Sequence, residues 1–208
     1  MSNQEEPVRA GGLQFERIVF FSDAVIAIAI TLLALEIRLP EAQVGSAHGD
    51  LTARVLALGP QYQSYVISFL VIGLYWVAHH RTFGYIRRYD ARLIWLNLLF
   101  LMLIAFLPFP TSLLGSFPDE QAAVILYAAT VAATGAVSSL TWWYATYGHR
   151  LVDARLDRHT IRQATVRALI PLIVFLISIG IAFIEPSVAK AFWSLTWLAY
   201  MASSLFRP

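Results

Sequence analysis

The sequence predicts an all-α polytopic membrane protein of six transmembrane helices, and three observations carry that expectation. Hydrophobic residues make up 58% of the chain and charged residues only 13%, with a mean hydropathy of +0.63, a balance suited to hydrocarbon and not to water. The apolar residues gather into runs of about 20, the length a helix needs to cross a bilayer. The basic residues fall in alternate loops between those runs. A chain of 208 residues holds such spans and short connections but no soluble catalytic domain, so a single transmembrane domain over 1–208 is expected.

The runs are Phe15 to Ile37, Gly59 to His80, Leu93 to Leu114, Gln121 to Tyr147, Ile161 to Ile184 and Ser187 to Leu205. Pro40, the stretch from Gly45 to Asp50, Gly115 to Pro118, Gly148 and Glu185-Pro186 interrupt them where the chain must turn. Met1 to Glu6 is polar and acidic and Ser2 follows the initiator, so neither a removed leader nor a myristoyl anchor is expected. With the amino terminus in the cytoplasm, Arg9, Arg17, Arg81, Arg87, Arg88, Arg92, Arg150, Arg155, Arg158, Arg162, Arg167 and Arg207 share one side, and only Arg38, Arg54 and Lys190 remain for the other. This bias places both termini in the cytoplasm of a multi-pass plasma-membrane protein. The same loops account for the net charge of +2; juxtamembrane arginines commonly meet anionic lipid heads, which disfavours nucleic acid as a partner.

Trp76, Trp95, Trp142, Trp143, Tyr147, Tyr62 and Tyr65 lie near predicted span ends, as interfacial anchors do. No internal repeat is visible, which weakens a transporter of inverted halves. There are no cysteines, so thiol chemistry and disulfides are excluded. His79 and His80 are consecutive, unlike the i, i+4 pair of a helical metal site, and no metal or cofactor is expected.

The first run opens with Arg17, Ser22 and Asp23. An ionisable group costs roughly 2.5 to 3.5 kcal/mol at mid-bilayer and less near the interface, so such residues are kept with partners or with a task. On an ideal helix Ala24, Ile28, Thr31 and Leu35 fall within about 60° of each other, a stripe that Thr31 interrupts with a hydroxyl. Ordinary helix packing explains such a stripe equally well. Asp23 lies ~100° from it and Ser22 ~160°, so both face neighbouring helices. Arg17 and Asp23 are separated by ~9 Å of rise and ~120°, too far to pair with each other. Trp76, His79 and His80 at the end of the second run, with Asn97 one turn inside the third, are available for a polar lock between three helices.

Arg17-xxx-Phe21-Ser22-Asp23 followed by Ala-Val-Ile-Ala-Ile-Ala-Ile-Thr resembles the signature of the transmembrane protein 175 family of lysosomal and prokaryotic potassium channels. Trp76-xx-His79-His80, Asp90, Asn97-Leu98 and Leu107-Pro108-Phe109-Pro110-Thr111 are similar to that family's second and third helices in order and spacing. The likeness extends over nearly the whole chain in span count, and the string is specific because it opens the first span of six. It implies a potassium-selective, or weakly selective monovalent cation, channel: a homotetramer whose four first helices line a central pore for passive ion conduction. It also implies a constriction at Ile28, a selectivity layer at Thr31, a further hydrophobic layer at Leu35, and a structural network of Arg17, Ser22, Asp23, Trp76, His79 and Asn97. Potassium ions and membrane lipid are the implied partners.

Other readings compete. Thr82-Phe83-Gly84-Tyr85 is similar to a conventional potassium filter but lacks the second glycine and leads straight into Arg87-Arg88. Ser22, Asp23 and His79 supply the residue types of a hydrolase, although Ser22 and Asp23 diverge by ~100° and no oxyanion hole follows; no enzyme is expected. A proton-coupled secondary transporter with Asp23 and His79 as its titrating pair, and a membrane scaffold, remain as alternatives. Glu36, near the far end of the first run, is placed to concentrate cations at an outer mouth, although an exposed interfacial carboxylate is common without such a role.

Overall fold

A computed structural model describes residues 6–38, 51–194 and 196. In chain order the helices are α1 (Glu6–Leu35), α2 (Leu51–Leu56), α3 (Gly59–Tyr85), α4 (Ala91–Phe106), α5 (Pro108–Ser116), α6 (Gln121–Thr146), α7 (Arg158–Ala182) and α8 (Pro186–Phe192), with a 3₁₀ turn at Tyr147–His149. Among the described residues, five segments are long and apolar enough to cross a membrane: Gln14–Leu35, Gly59–Tyr85, Ala91–Ser116, Gln121–His149 and Arg158–Ala182. The run from Ser187 to Leu205 lies mostly outside the described residues, and α8 is its described beginning.

Local chemistry sets the helix ends. Pro60 occupies the first turn of α3, where its missing N–H is no loss. Asp90 caps α4 by accepting from the Leu93 amide at 2.9 Å, and Asp157 caps α7 by accepting from the Thr160 amide at 2.9 Å. The third run is one span in length but two helices in geometry. Pro108 has no N–H to continue the ladder, so α4 stops at Phe106 and α5 restarts beyond Leu107. The final carbonyls of α7 are met from another helix: Gln121 Nε2 donates to the Ala182 carbonyl at 3.1 Å.

The bundle is organised around α6, which packs most extensively on α7 and also meets α4 and α5. Small side chains permit the approach. A Cβ on Gly135 of α6 would lie 3.2 Å from the Leu172 amide nitrogen and 3.0 Å from the Tyr75 hydroxyl. The core gathers Ile72, Ile104, Val124, Tyr127 and Phe175, with Trp193 stacked at 5.3 Å on Phe175 and 4.9 Å from Tyr127. Buried hydroxyls pair across it: Thr111 donates to Ser68 at 2.8 Å and Ser68 to Tyr127 at 3.1 Å. Trp142 differs from the interfacial anchor expected of it. It is buried, and its indole donates to Thr165 at 3.0 Å, fastening α6 to α7. Trp95, Trp143 and Tyr147 are exposed.

A second, smaller core closes the arginine-rich face. Phe83, Ile86, Leu93, Ala145, Leu151 and Val152 bury one another. The α3–α4 linker meets the α6–α7 loop through an isolated antiparallel bridge between Ile86 and Val152, and the Arg87 amide donates to the Leu151 carbonyl at 2.8 Å. Phe15, Ile18 and Val19 of α1 pack onto this cluster, and Tyr89 donates to Gln14 Oε1 at 2.6 Å.

Candidate pore-lining face and polar lock

α1 has two faces. Ser22, Ile26, Ala29 and Leu33, spaced at i, i+4, i+7 and i+11, are buried against the bundle, where α1 contacts α3, α4 and α5. Ala24, Ile28, Thr31 and Leu35 are all exposed on the other side. Exposure alone does not separate a pore wall from a lipid face, because α7 also exposes Ile173, Leu176 and Ile177. The composition of the α1 face differs: it carries the small Ala24, Ala27 and Ala34, and a hydroxyl at Thr31.

Thr31 donates that hydroxyl proton to the Ile28 carbonyl at 2.8 Å. With the donor committed to its own helix, the lone pairs of Oγ1 are what the side chain presents outward, the polarity a cation or its hydration water needs. Ile28, 57% exposed, and Leu35, 61% exposed, flank it with hydrocarbon.

Behind this face, the polar residues of α1 engage two separate partners. A directed relay runs through three helices. His79 Nε2 meets Asn97 Oδ1 at 2.9 Å, Asn97 Nδ2 donates to Ser22 Oγ at 2.9 Å, and Ser22 donates to the Ile18 carbonyl at 2.8 Å. Because the Asn97 amide N–H is given to Ser22, its carbonyl oxygen faces the imidazole, which assigns the ring proton to Nε2. All three side chains are buried, and the imidazole is stacked between Phe83 at 4.1 Å and Phe100 at 5.4 Å. Among the described residues Nδ1 of His79 has no hydrogen-bond partner, and the residue lines a small cavity with Thr82, Ser138 and Thr141.

The second engagement is a pair, Trp76 Nε1 donating to Asp23 Oδ1 at 2.9 Å. The two sets are distinct because Ser22 and Asp23 project ~100° apart. Arg17, grouped with these residues on sequence, is exposed and makes no hydrogen bond or ion pair with them. Its distance along α1 from Asp23 is the physical reason. His80 stands beside Trp76, ring centroids 5.7 Å apart, and outside both sets.

The geometry also bears on the rival readings. Ser22 gives its proton to a backbone carbonyl and Asn97 stands between it and His79, so His79 is not placed as a general base for the serine. Asp23 and His79 each spend a polar atom on a neutral partner and are not hydrogen-bonded to one another. Thr82-Phe83-Gly84-Tyr85 is the last turn of α3, with Phe83 buried, and forms no filter loop. Sequence reasoning passed over Asp90 as a helix cap and did not find its partner Tyr144, which donates to Asp90 Oδ2 at 2.5 Å. An Asp three residues before Leu93 was the available signal for the cap.

A family model described as the endosomal/lysosomal potassium channel TMEM175 matches residues 17–108. A potassium channel of Streptomyces collinus is 37% identical over 188 residues, spanning 88% of this chain and 90% of the relative. The crystal structure of a lysosomal potassium-selective channel TMEM175 homolog from Chamaesiphon minutus matches with a TM-score of 0.81 at 32% identity, over 91% of this chain and 98% of that one. The human protein named endosomal/lysosomal proton channel TMEM175 is 32% identical over 143 residues, 69% of this chain but 28% of its own length. The matched region covers α1 from Arg17 onward together with α3 and α4, the three helices of the lock, and the likeness to the Streptomyces protein runs nearly end to end: this chain belongs to the TMEM175 family.

Proposed function

We propose that this chain is a potassium channel that conducts passively through a pore lined by the first helices of four copies. The observation that carries the reading is the outward face of α1, where Thr31 offers hydroxyl lone pairs between two exposed hydrophobic residues, Ile28 and Leu35. The bacterial relatives support the choice of ion, since they are named potassium channels. Cyclic symmetry turns each of these residues into a ring. Four Ile28 side chains carry no dipoles to replace a hydration shell and act as a steric or dewetting gate, Leu35 adds a second hydrophobic layer, and the Thr31 ring contacts the ion or its water and contributes selectivity. The Ser22–Asn97–His79 relay and the Asp23–Trp76 pair fasten α1 to α3 and α4, so that each pore helix is held from behind by its own subunit. Arg17 lies on the exposed side of α1, toward neighbouring subunits.

Six spans, the last from Ser187 to Leu205, and both termini in the cytoplasm of the plasma membrane complete this reading, supported by the arginine distribution. Its test is ion flux from liposomes or bilayer recording under bi-ionic potassium and sodium. Thr31→Val is expected to lower the preference for potassium, and Ile28→Asn to raise conductance by wetting the constriction. Unchanged permeation in both variants overturns the assignment. Saturable transport driven by a proton gradient in place of electrodiffusion would instead favour a proton-coupled carrier.

A further inference from the structure

On the membrane side that carries the arginine-rich loops, a cavity of about 500 Å³ opens between the end of α3 and the start of α7. Its size lies within the ~300 to 1,000 Å³ of small-molecule sites. Its lining is cationic and hydrogen-bonding: His80 and Arg81 from α3, Arg167, Thr160 and Gln163 from α7, with the Trp142 ring as one wall. Among the described residues, no carboxylate lines it. Arg81 and Arg167 are half-buried, and among the described residues Arg81 makes no hydrogen bond or ion pair. A narrow apolar crevice shares Ala78, Ser138, Arg167 and Ala168 with the cavity and continues along Leu74, Val71, Pro171 and Phe175. The crevice is lined by buried core residues, Val71 and Phe175 among them, and has no room for a hydrocarbon chain.

A basic chamber at the span ends that carry the arginine-rich loops has the charge of an anionic-headgroup site. We propose that it is a binding site for the headgroup of an anionic phospholipid, its phosphodiester held by Arg81 and Arg167. The guanidinium fork suits a phosphodiester better than a lysine ammonium does, because it donates two parallel hydrogen bonds to paired oxygens. Basic pockets between transmembrane helices on the cytoplasmic side bind anionic headgroups in this way. Thr160 and Gln163 add neutral donors at the polar end. None of these residues belongs to the α1 face or to the lock, so the site stands apart from the conduction reading.

The test is native mass spectrometry of the full chain purified in mild detergent, titrated with phosphatidylglycerol, cardiolipin, phosphatidylcholine or inorganic phosphate. The expected result is retention of the two anionic lipids over phosphatidylcholine, without displacement by inorganic phosphate. Arg81→Gln and Arg167→Gln should each lower that retention about tenfold, the loss of one charge-assisted pair. Arg162→Gln, an exposed arginine of α7 outside the cavity, should leave it unchanged. Ala168→Phe, which fills part of the cavity, should reduce lipid retention with no change in charge. Should Arg81→Gln fail to yield folded protein, Arg81→Lys keeps the charge without the fork and should give an intermediate loss. Equal losses from Arg162→Gln and Arg81→Gln, retention without headgroup preference, competition by inorganic phosphate alone, or an oligomer whose packed copies exclude lipid would each overturn the proposal.

Discussion

Asn97 is the residue on which the packing of α1 turns, because it donates to Ser22 and accepts from His79 at once. Asn97→Ala removes both bonds and leaves the buried imidazole N–H without an acceptor. An unsatisfied buried group costs about 1 to 3 kcal/mol, while hydrogen bonds between membrane helices average only about 0.6 kcal/mol because the unfolded chain in lipid also finds partners. A loss of about 1 to 3 kcal/mol is therefore expected for Asn97→Ala, read as a lower unfolding midpoint in detergent. Ser22→Ala should cost less, since it removes only one of those two bonds: an Asn97 amide N–H loses its acceptor while the Asn97–His79 bond stays. If Ser22→Ala proves the more damaging, the relay is not what holds α1. These partners were legible in the sequence as residue types at the ends of adjacent spans. Their division into a relay and a pair follows from the helical phase of Ser22 against Asp23, and the donor order from atoms that only the folded chain brings together.

At the scale of elements, two contacts invite direct tests. A methyl on Gly135 would sit 3.2 Å from the backbone nitrogen of Leu172, and backbone cannot yield as a flexible side chain does. Gly135→Val should separate α6 from α7 and cost about 1 to 3 kcal/mol through overpacking, seen as a lower unfolding midpoint. An unchanged midpoint would show that the two helices have room to spare. The second contact is the Asp90 cap. Burial pushes its carboxyl upward, but hydrogen bonds from Tyr144 and from the Leu93 and Arg92 amides, with the charge of Arg150, outweigh it and hold the group below its usual 3.8. A depressed folded value means that the charged carboxylate stabilises the fold fully above pH 3.8 and loses that contribution as the pH falls further. Asp90→Asn should accordingly flatten the acid limb of a stability-against-pH curve below pH 3.8. A variant curve parallel to wild type would remove Asp90 from that role. The spans themselves were legible because each is a long apolar run. The break at Leu107 was signalled by Pro108, yet length alone joined α4 to α5. The small core beneath the spans was not legible, since the Ile86–Val152 bridge joins residues far apart in sequence whose local patterns resemble any polar loop.

For the whole molecule, the open question is what covers the exposed face of α1. Inside one chain, Ile28 and Leu35 are indistinguishable by exposure from Ile177 on α7, which is 49% exposed. An oligomer built around α1 separates them. Copies of Ile28 then approach one another at the axis, whereas copies of Ile177 stay apart in lipid. Since the chain has no cysteines, a single introduced cysteine reports on its own position without background. Ile28→Cys and Leu35→Cys should form disulfides between copies under mild oxidation, and Ile177→Cys should not, because a disulfide requires Cβ atoms within about 3.5 to 4.5 Å. Each cysteine pairs once, so a denaturing gel should stop at the dimer whether the native particle has two members or the four proposed. The stoichiometry must come from its protein mass, expected at four times 23.3 kDa. A cross-link at Ile177 as efficient as that at Ile28, or a native mass of one chain, would place α1 in lipid and end the case for a pore there.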